Sequence, residues 1–301
     1  MSNPDEVRQR YAEEIRDVLK VRFGITLSQH LVDAFRNVSR EHFLGPGPWL
    51  IRGNKKNFRQ GLTSWLNRSR ATDDWTTSEP KHLYHHDTIV AIDVKRGLNN
   101  GQPSGLAAWI HFLELQKGDC VLHVGCGLGY YTAIMAEVVG PTGHVTGIEI
   151  DSDLASRACQ NLTHLNQVKI VNGDGAKYST GPMAAILINA GVTHPRFAWL
   201  DSLQQGGRMI IPLTTEKGRG LVLKLKRELE GYTAGFVLTT QVFDCVGSRN
   251  EELSERLHDR FKRRNWRLVK SLRLDAHESN ESCWLHYKEF CLSMLPLSEK
   301  P

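Results

Sequence analysis

The stretch VLHVGCGLGYYTAIMA, residues 121–136, sets an apolar run before three glycines at alternate positions and follows them with an amphipathic stretch. That order predicts a strand, a tight turn and a helix. A glycine turn of this kind puts backbone amides and a helix N-terminus at the carboxyl edge of a sheet, where a nucleotide-sized ligand can sit. The dinucleotide fingerprint would need a small residue at position 130, so that helix and strand pack closely. Tyr130 stands there instead, which disfavours a pyrophosphate ligand.

Outward from this turn, short apolar runs (CVLHV, HVTGIEI, VKIV, AAILINA, GRMIIPL) alternate with helical or loop segments from Gly118 onward, the pattern of an open α/β sheet. LVLKLKREL and GFVLTTQVF follow each other closely and read as an antiparallel pair. Glu149 ends the second run, where an acid can accept hydrogen bonds from ribose hydroxyls. Asp151 is a second contender, or else the cap of the next helix. NGDGA, residues 172–176, puts Asp174 between Gly173 and Gly175, as a group near an adenine amino function or as a plain turn residue.

The chain has 301 residues, is 40% hydrophobic and carries a net charge of +5, so a substantial core is expected and a nucleic-acid partner is not. MSNPDEVRQRYAEE lacks a signal-peptide core, and no apolar run approaches a membrane span, so a soluble cytoplasmic protein is expected. Six scattered cysteines without a C-x-x-C pair suggest reduced thiols, and no metal site is expected. Residues 5–43 read as two helices divided near Gly24. Residues 45–81 read as an irregular insertion, with Arg52, Lys55, Lys56, Arg59, Arg68 and Arg70 among Trp49, Phe58 and Trp65: a docking flap or a solvated loop. Beyond Gly247, EELSERLHDRFKRR reads as a helix, and WRLVKSLRL and CWLHYKEFCLSML as strands of an appended α/β piece.

The spacing Gly125-x-Gly127-x-Gly129 resembles motif I of class I S-adenosylmethionine-dependent methyltransferases. Further phrases are similar to the protein-L-isoaspartate O-methyltransferase family over roughly residues 10–245. VSREHFLG matches its phrase after the second helix, and GQPSGLAAWI its Q-P segment before motif I. VLHVGCGLGYYTA resembles V-L-E-I-G-x-G-S-G-Y-x-T-A, IEIDSDLASRACQNL resembles I-E-x-x-x-x-L-A-x-x-A-x-x-N-L, NGDGA resembles G-D-G, and LQQGGRMIIPL resembles L-K-P-G-G-R-L-V-I-P. The resemblance implies a doubly wound, Rossmann-like seven-stranded α/β methyltransferase sheet with N-terminal helices and a small C-terminal α/β extension. Its expected divisions are 1–100 for the helices and acceptor side, 101–246 for the cofactor-binding core and 247–301 for the extension. The implied cofactor is S-adenosylmethionine, held by His123, Gly125, Cys126, Gly127, Gly129, Glu149, Ile150, Gly173, Asp174 and Gly175.

The implied reaction esterifies a carboxylate of a peptide or protein. Such an acceptor is ionised at neutral pH and needs alignment and water exclusion more than a base. Asn99, Asn100, Gly101 and Gln102, opposite Asn189, are the candidate acceptor residues; a hydroxyl acceptor would instead require a base such as His194, His82, His85 or His86. KHLYHHD (81–87) also admits a metal reading, though its spacing fits no strict ligand pattern. Against the family's Q-T-I-S-Q-P, Gly101 stands where the acceptor-side Ser falls; His123 replaces an acid, and Ala184 replaces an Asp. These departures leave open a specialised enzyme acting on a biosynthetic peptide or small molecule, or a cofactor-binding module without turnover.

Overall fold

The fold is that of a computed structural model that describes residues 3–52, 74–178 and 180–299. Helix α1 (Pro4–Phe23) starts on the Asn3 side chain, which accepts from the Asp5 amide, and stops at Gly24 in the left-handed region (φ 67°). Ser28 caps α2 (Gln29–Asn37) through the Leu31 amide, and a short α3 (Arg40–Leu44) follows. The flanks of the segment expected to be irregular are instead strands. β1 (Trp49–Arg52) and β2 (Trp75–Thr77) pair antiparallel, and with β3 (Ile89–Asp93) and β4 (Leu98–Asn99) form a small sheet in the order β2-β1-β3-β4. Four residues or fewer per flank give too short a period for sequence to reveal. Lys55, Lys56, Phe58, Arg59, Trp65, Arg68 and Arg70 lie outside the described residues, whereas Trp49 is buried and its indole donates to the Gly45 carbonyl.

Helix α4 (Pro103–Phe112) leads into the core: β5 (Cys120–Val124), α5 (Tyr130–Val139), β6 (His144–Glu149), α6 (Ser152–Asn161), β7 (Val168–Asn172), β8 (Met183–Ile188), α7 (Phe197–Ser202), β9 (Leu203–Thr214), β10 (Arg219–Glu228) and β11 (Gly231–Gln241). The tail supplies α8 (Glu251–Lys262), β12 (Ser271–Arg273), β13 (Cys283–Tyr287) and β14 (Phe290–Ser293). The large sheet runs β13-β14-β12-β11-β10-β9-β8-β5-β6-β7. Strands β5 to β9 are parallel, and β10 and β11 form the expected antiparallel ending. These are the seven strands of the expected sheet, but the tail does not merely pack upon them: β12 pairs with β11, so the sheet continues to ten strands. Of WRLVKSLRL only Ser271–Arg273 is extended, because Trp266–Leu268 forms a 3-10 turn.

Side-chain alternation fixes the layers. Val121, Val145, Ala185 and Leu187 face a core shared with α1, α2, α4 and α5. Leu122, Val124, Ile186 and Ile188 face the opposite core, which holds Trp199 of α7, Leu253 and Leu257 of α8, and Trp284 of β13. Each fully buried large apolar side chain contributes about 1.5–3 kcal/mol. Chain order reverses between β5 and β8, which opens a crevice at the carboxyl ends of those two strands.

Candidate functional site

The glycine turn lies at that crevice, and its three glycines have different reasons. Gly125 (φ 77°) approaches β8 so closely that a Cβ would stand 3.3 Å from the Asn189 carbonyl oxygen. Gly129 (φ 91°) opens α5 against α6, where a Cβ would fall 2.6 Å from Leu162 Cδ1. Gly127 (φ 55°) faces open space, with nothing within 4 Å of a Cβ built on it. The amides of Gly125 and Cys126 donate to the Ile148 carbonyl at 2.8 and 3.1 Å, while Asn189 donates from its backbone to Val124 and from Nδ2 to the Gly125 carbonyl (3.2 Å).

Glu149 ends β6 and is buried; its Oε2 accepts from the Gly127 amide at 2.8 Å and its Oε1 from the Asp151 amide at 3.1 Å. Each carboxylate oxygen has about two acceptor sites, so each retains one. Asp151 takes the capping role: Oδ1 accepts from the Leu154 amide, and Oδ2 meets Arg96, from the β3–β4 turn, at 2.5 Å. The Leu154 amide and Arg96 together hold its carboxyl below the usual range. Ile150 beside it is 47% exposed.

The 172–176 segment docks on the same strand end, where the Gly173 amide and Asn172 Nδ2 both donate to the Glu149 carbonyl at 2.9 Å. Asp174 accepts from the Ala176 amide (2.9 Å) and pairs with Lys177 (3.3 Å). Gly247 stands against its other oxygen, 3.3 Å from where a Cβ would be. Gly175 is packed on Val124, and its carbonyl accepts from the Trp199 indole at 2.8 Å. The stretch from Phe243 to Gly247 therefore crosses this edge, anchored by Gly191 donating to the Phe243 carbonyl (2.6 Å) and Cys245 donating to the Gly191 carbonyl (2.8 Å).

One expected cofactor residue, His123, points elsewhere. His123 is fully buried with Nδ1 2.9 Å from Thr132 Oγ1 of α5, and burial lowers its pKa to about 3. It serves strand–helix packing as a neutral imidazole. Cys126 is buried, and its thiol is pushed well up, by burial first and then by Glu149, while the residue lines the cleft beside Gly127.

A cleft of about 1580 Å³ runs from the turn to the small sheet, with Cys126, Gly127 and Asn189 on one wall and Asn99, Asn100, Gly101 and Gln102 on another. Glu149, Ile150 and Asp174 are not among its described lining residues; they lie along the edge of β6 and β7. Asn100 extends the β3 pairing, with Oδ1 accepting from the Val90 amide (2.8 Å), and Asn99 Oδ1 accepts from the Gly101 amide (2.9 Å). Gln102 donates to Asp87 Oδ1, which also accepts from Ser104 Oγ (3.3 Å). Tyr131 OH donates to the Gly101 carbonyl at 3.5 Å. These side-chain hydrogen bonds thus hold the acceptor segment in place.

Behind Asp87 is a group that sequence reasoning did not assemble. His86 lies between Glu14 Oε1 (2.9 Å from Nδ1) and Asp87 Oδ2 (3.1 Å from Nε2). Burial would lower its pKa, but the two carboxylates outweigh that and raise it to about 9. KHLYHHD and the Ser of GQPSG were its sequence signal, yet Glu14 comes from α1, far away in sequence. His194 is removed from this group: it bonds Thr193 Oγ1 (3.0 Å) and stacks on Phe290, and burial with Arg196 lowers its pKa.

A glycine turn at the switch point of a parallel sheet, an acid ending the next strand and an antiparallel closing pair define a class I S-adenosylmethionine-dependent methyltransferase. The family model described as Protein-L-isoaspartate(D-aspartate) O-methyltransferase (PCMT) matches residues 72–251, and the chain belongs to that family. It is accordingly a carboxyl O-methyltransferase. It is 38% identical over 158 residues to the protein-L-isoaspartate O-methyltransferase of Ignicoccus hospitalis, covering 51% of this chain and 74% of that one. It is 26% identical over 250 residues to the enzyme of that name from Thermotoga maritima, covering 81% and 68%. Among solved structures, a protein-L-isoaspartate O-methyltransferase superposes with a TM-score of 0.61 at 24% identity, covering 88% of this chain and 72% of that one. A Plasmodium falciparum structure described under the same enzyme name, complexed with S-adenosyl-L-homocysteine, gives 0.57 at 18% identity, covering 79% and 97%. Both structures share the fold. Among the described residues no helix is long and apolar enough to cross a membrane.

Proposed function

We propose that the chain esterifies an isoaspartyl-type side-chain carboxylate of a peptide or protein, binding S-adenosylmethionine along the edge from Gly125 to Asp174. The observation that carries this reading is the Glu149 carboxylate. It is buried and aligned by two backbone amides, with acceptor capacity left on both oxygens beside a Gly127 that faces open space. Those free acceptor sites fit the hydroxyl donors of a ribose diol. Gly125, Gly127 and Gly129 would hold the amino-acid end and sugar, and Ile150, Gly173, Asp174 and Gly175 the base. When bound, S-adenosylmethionine supplies a methyl group already activated on a sulfonium.

The remaining work is orientation and exclusion of water. Asn189 pins the turn to β8, and the bonds from Asn99, Asn100 and Gln102 preset the backbone of the opposite wall. A carboxylate acceptor is already ionised, so no base is assigned. Gly101, at φ 74° and without a hydroxyl, supports a second reading in which the acceptor is a specialised peptide or small acid. A cytoplasmic location belongs to the same proposal, in keeping with cysteines free of disulfides.

The test incubates the pure protein with methyl-labelled donor and an isoaspartyl peptide, alongside calorimetry for the donor. Base-labile methyl ester on the peptide supports the first reading. Label only on another peptide or metabolite supports the second, and donor binding without transfer to any acceptor removes both.

A further inference from the structure

The sequence offers no C-x-x-C pair, and the absence of a metal site was expected on that ground, but the tail folds four ligand-type side chains onto one point. His277, Cys283, His286 and Cys291 each present one ligand atom, all within 4.8 Å of one another. The placement is dictated by the β13–β14 hairpin. His286 and Cys291 are directly opposed across the antiparallel pair, so they share a face. Cys283 joins them at the irregularity between Cys283 and Leu285, and the loop after β12 brings His277 over the top, its Nε2 3.7 Å from Cys283 Sγ. The His277 and His286 rings meet edge to face, with centroids 4.8 Å apart.

We propose that these four residues form a structural zinc site, closed by four protein ligands. Tetrahedral Zn–S and Zn–N bonds of about 2.3 and 2.0–2.1 Å put ligand atoms about 3.3–3.8 Å apart. The 3.7 Å between His277 and Cys283 already matches, and a contraction of about 1 Å brings the widest pair of the set into range. Two thiolates neutralise the dication, and a mixed sulfur and imidazole set selects zinc over harder cations.

The surroundings favour the assignment. His277 Nδ1 is held at 2.9 Å by the Asp275 carbonyl, the outer bond that fixes a ligating imidazole, and that leaves Nε2 directed at Cys283. His286 Nδ1 is buried without a hydrogen-bond partner among the described residues. Cys283 and Cys291 are both buried. The H-x5-C-x2-H-x4-C order is unlike the usual paired spacing, so only the hairpin makes the set visible.

The test uses the full chain purified under reducing conditions from zinc-replete cells. Elemental analysis should find about one zinc per chain, released when the thiols are blocked. Cobalt added to the stripped protein should give thiolate charge-transfer and tetrahedral d–d bands. The Cys283→Ser/Cys291→Ser double variant and His277→Ala should lose both signals, and His277→Cys should restore them. Because the variants can misfold, the wild-type result decides by itself: neither zinc nor cobalt bands in the reduced protein overturns the site. So does a Cys283–Cys291 disulfide in place of bound metal. Zinc retained by the double variant overturns it too, since the metal must then lie elsewhere, as at Glu14, His85 and His86.

Discussion

Replacing Glu149 by Gln is the most direct probe of the donor site, because it removes charge while keeping shape. In the native protein Oε2 accepts from Gly127 and Oε1 from Asp151, and each oxygen keeps one acceptor site for the proposed ribose. Gln retains one carbonyl oxygen and turns the other position into a donor, so at least one charge-assisted bond to a ribose hydroxyl is lost. A bond to a charged group contributes about 1.5–3 kcal/mol, so the dissociation constant should rise roughly 10- to 150-fold. The amide also faces a backbone N–H that it cannot satisfy from its donor end, which costs stability separately. Calorimetry with S-adenosylhomocysteine reads the affinity, and thermal unfolding without ligand reads the turn. Dissociation constants within twofold of wild type for both Glu149→Gln and Glu149→Ala, with an unchanged melting temperature, would refute the reasoning.

Gly101→Ser should not simply restore an acceptor-side hydroxyl: at φ 74°, with a Cβ 3.2 Å from Leu106 Cδ2, any side chain costs about 1–2 kcal/mol in urea unfolding. Faster esterification of an isoaspartyl peptide by this variant would show that the segment tolerates the family's residue. His123 has a folded pKa of about 3, below its ordinary 6.5, so the unfolded chain takes up its proton first. Its share of stability is present above pH 6.5 and falls by about 2 kcal/mol on going to pH 5, a loss that His123→Leu should abolish in paired denaturation curves. His86 has the opposite sign, because its pKa is raised to about 9. Its share is complete below pH 6.5 and lost as pH rises through 9. His86→Gln, which leaves Glu14 and Asp87 without their cation, should cost about 2–3 kcal/mol at pH 6 and much less at pH 9.5.

The core sheet could be read from the sequence because its strands, buried on both faces, are nearly continuous apolar runs between glycines, and because the glycine turn forms with its own neighbours in sequence. Glu149 was legible for the same reason: it ends one such run. The small sheet was not, since β1 and β2 find each other across residues 53–73 and are too short to show a period. His123 was misassigned because spacing does not say which face of β5 a side chain takes; only the position of Thr132 on α5 shows it turned inward. The Glu14–His86–Asp87 group showed only its KHLYHHD half, since Glu14 arrives from α1, and the four tail residues, though close in sequence, have a spacing that only the β13–β14 hairpin brings together.

The crossing from Phe243 to Gly247 ties the tail to the methyltransferase core at the one edge where a nucleoside would rest. Beyond it, the Asn250 amide donates to Thr193 Oγ1 and Arg249 donates to the Thr214 carbonyl, so the entry to the tail is tied to the rim of the crevice while its strands continue the sheet from β11. Whatever tightens that rim must also steady the tail, and by thermodynamic reciprocity a loosened tail must loosen the rim to the same degree. A chain shortened at residue 251, where the family match stops, would keep these rim bonds but lose Leu253, Leu257 and Trp284 from the core they share with Leu122 and Val124, and β12 from the edge of β11.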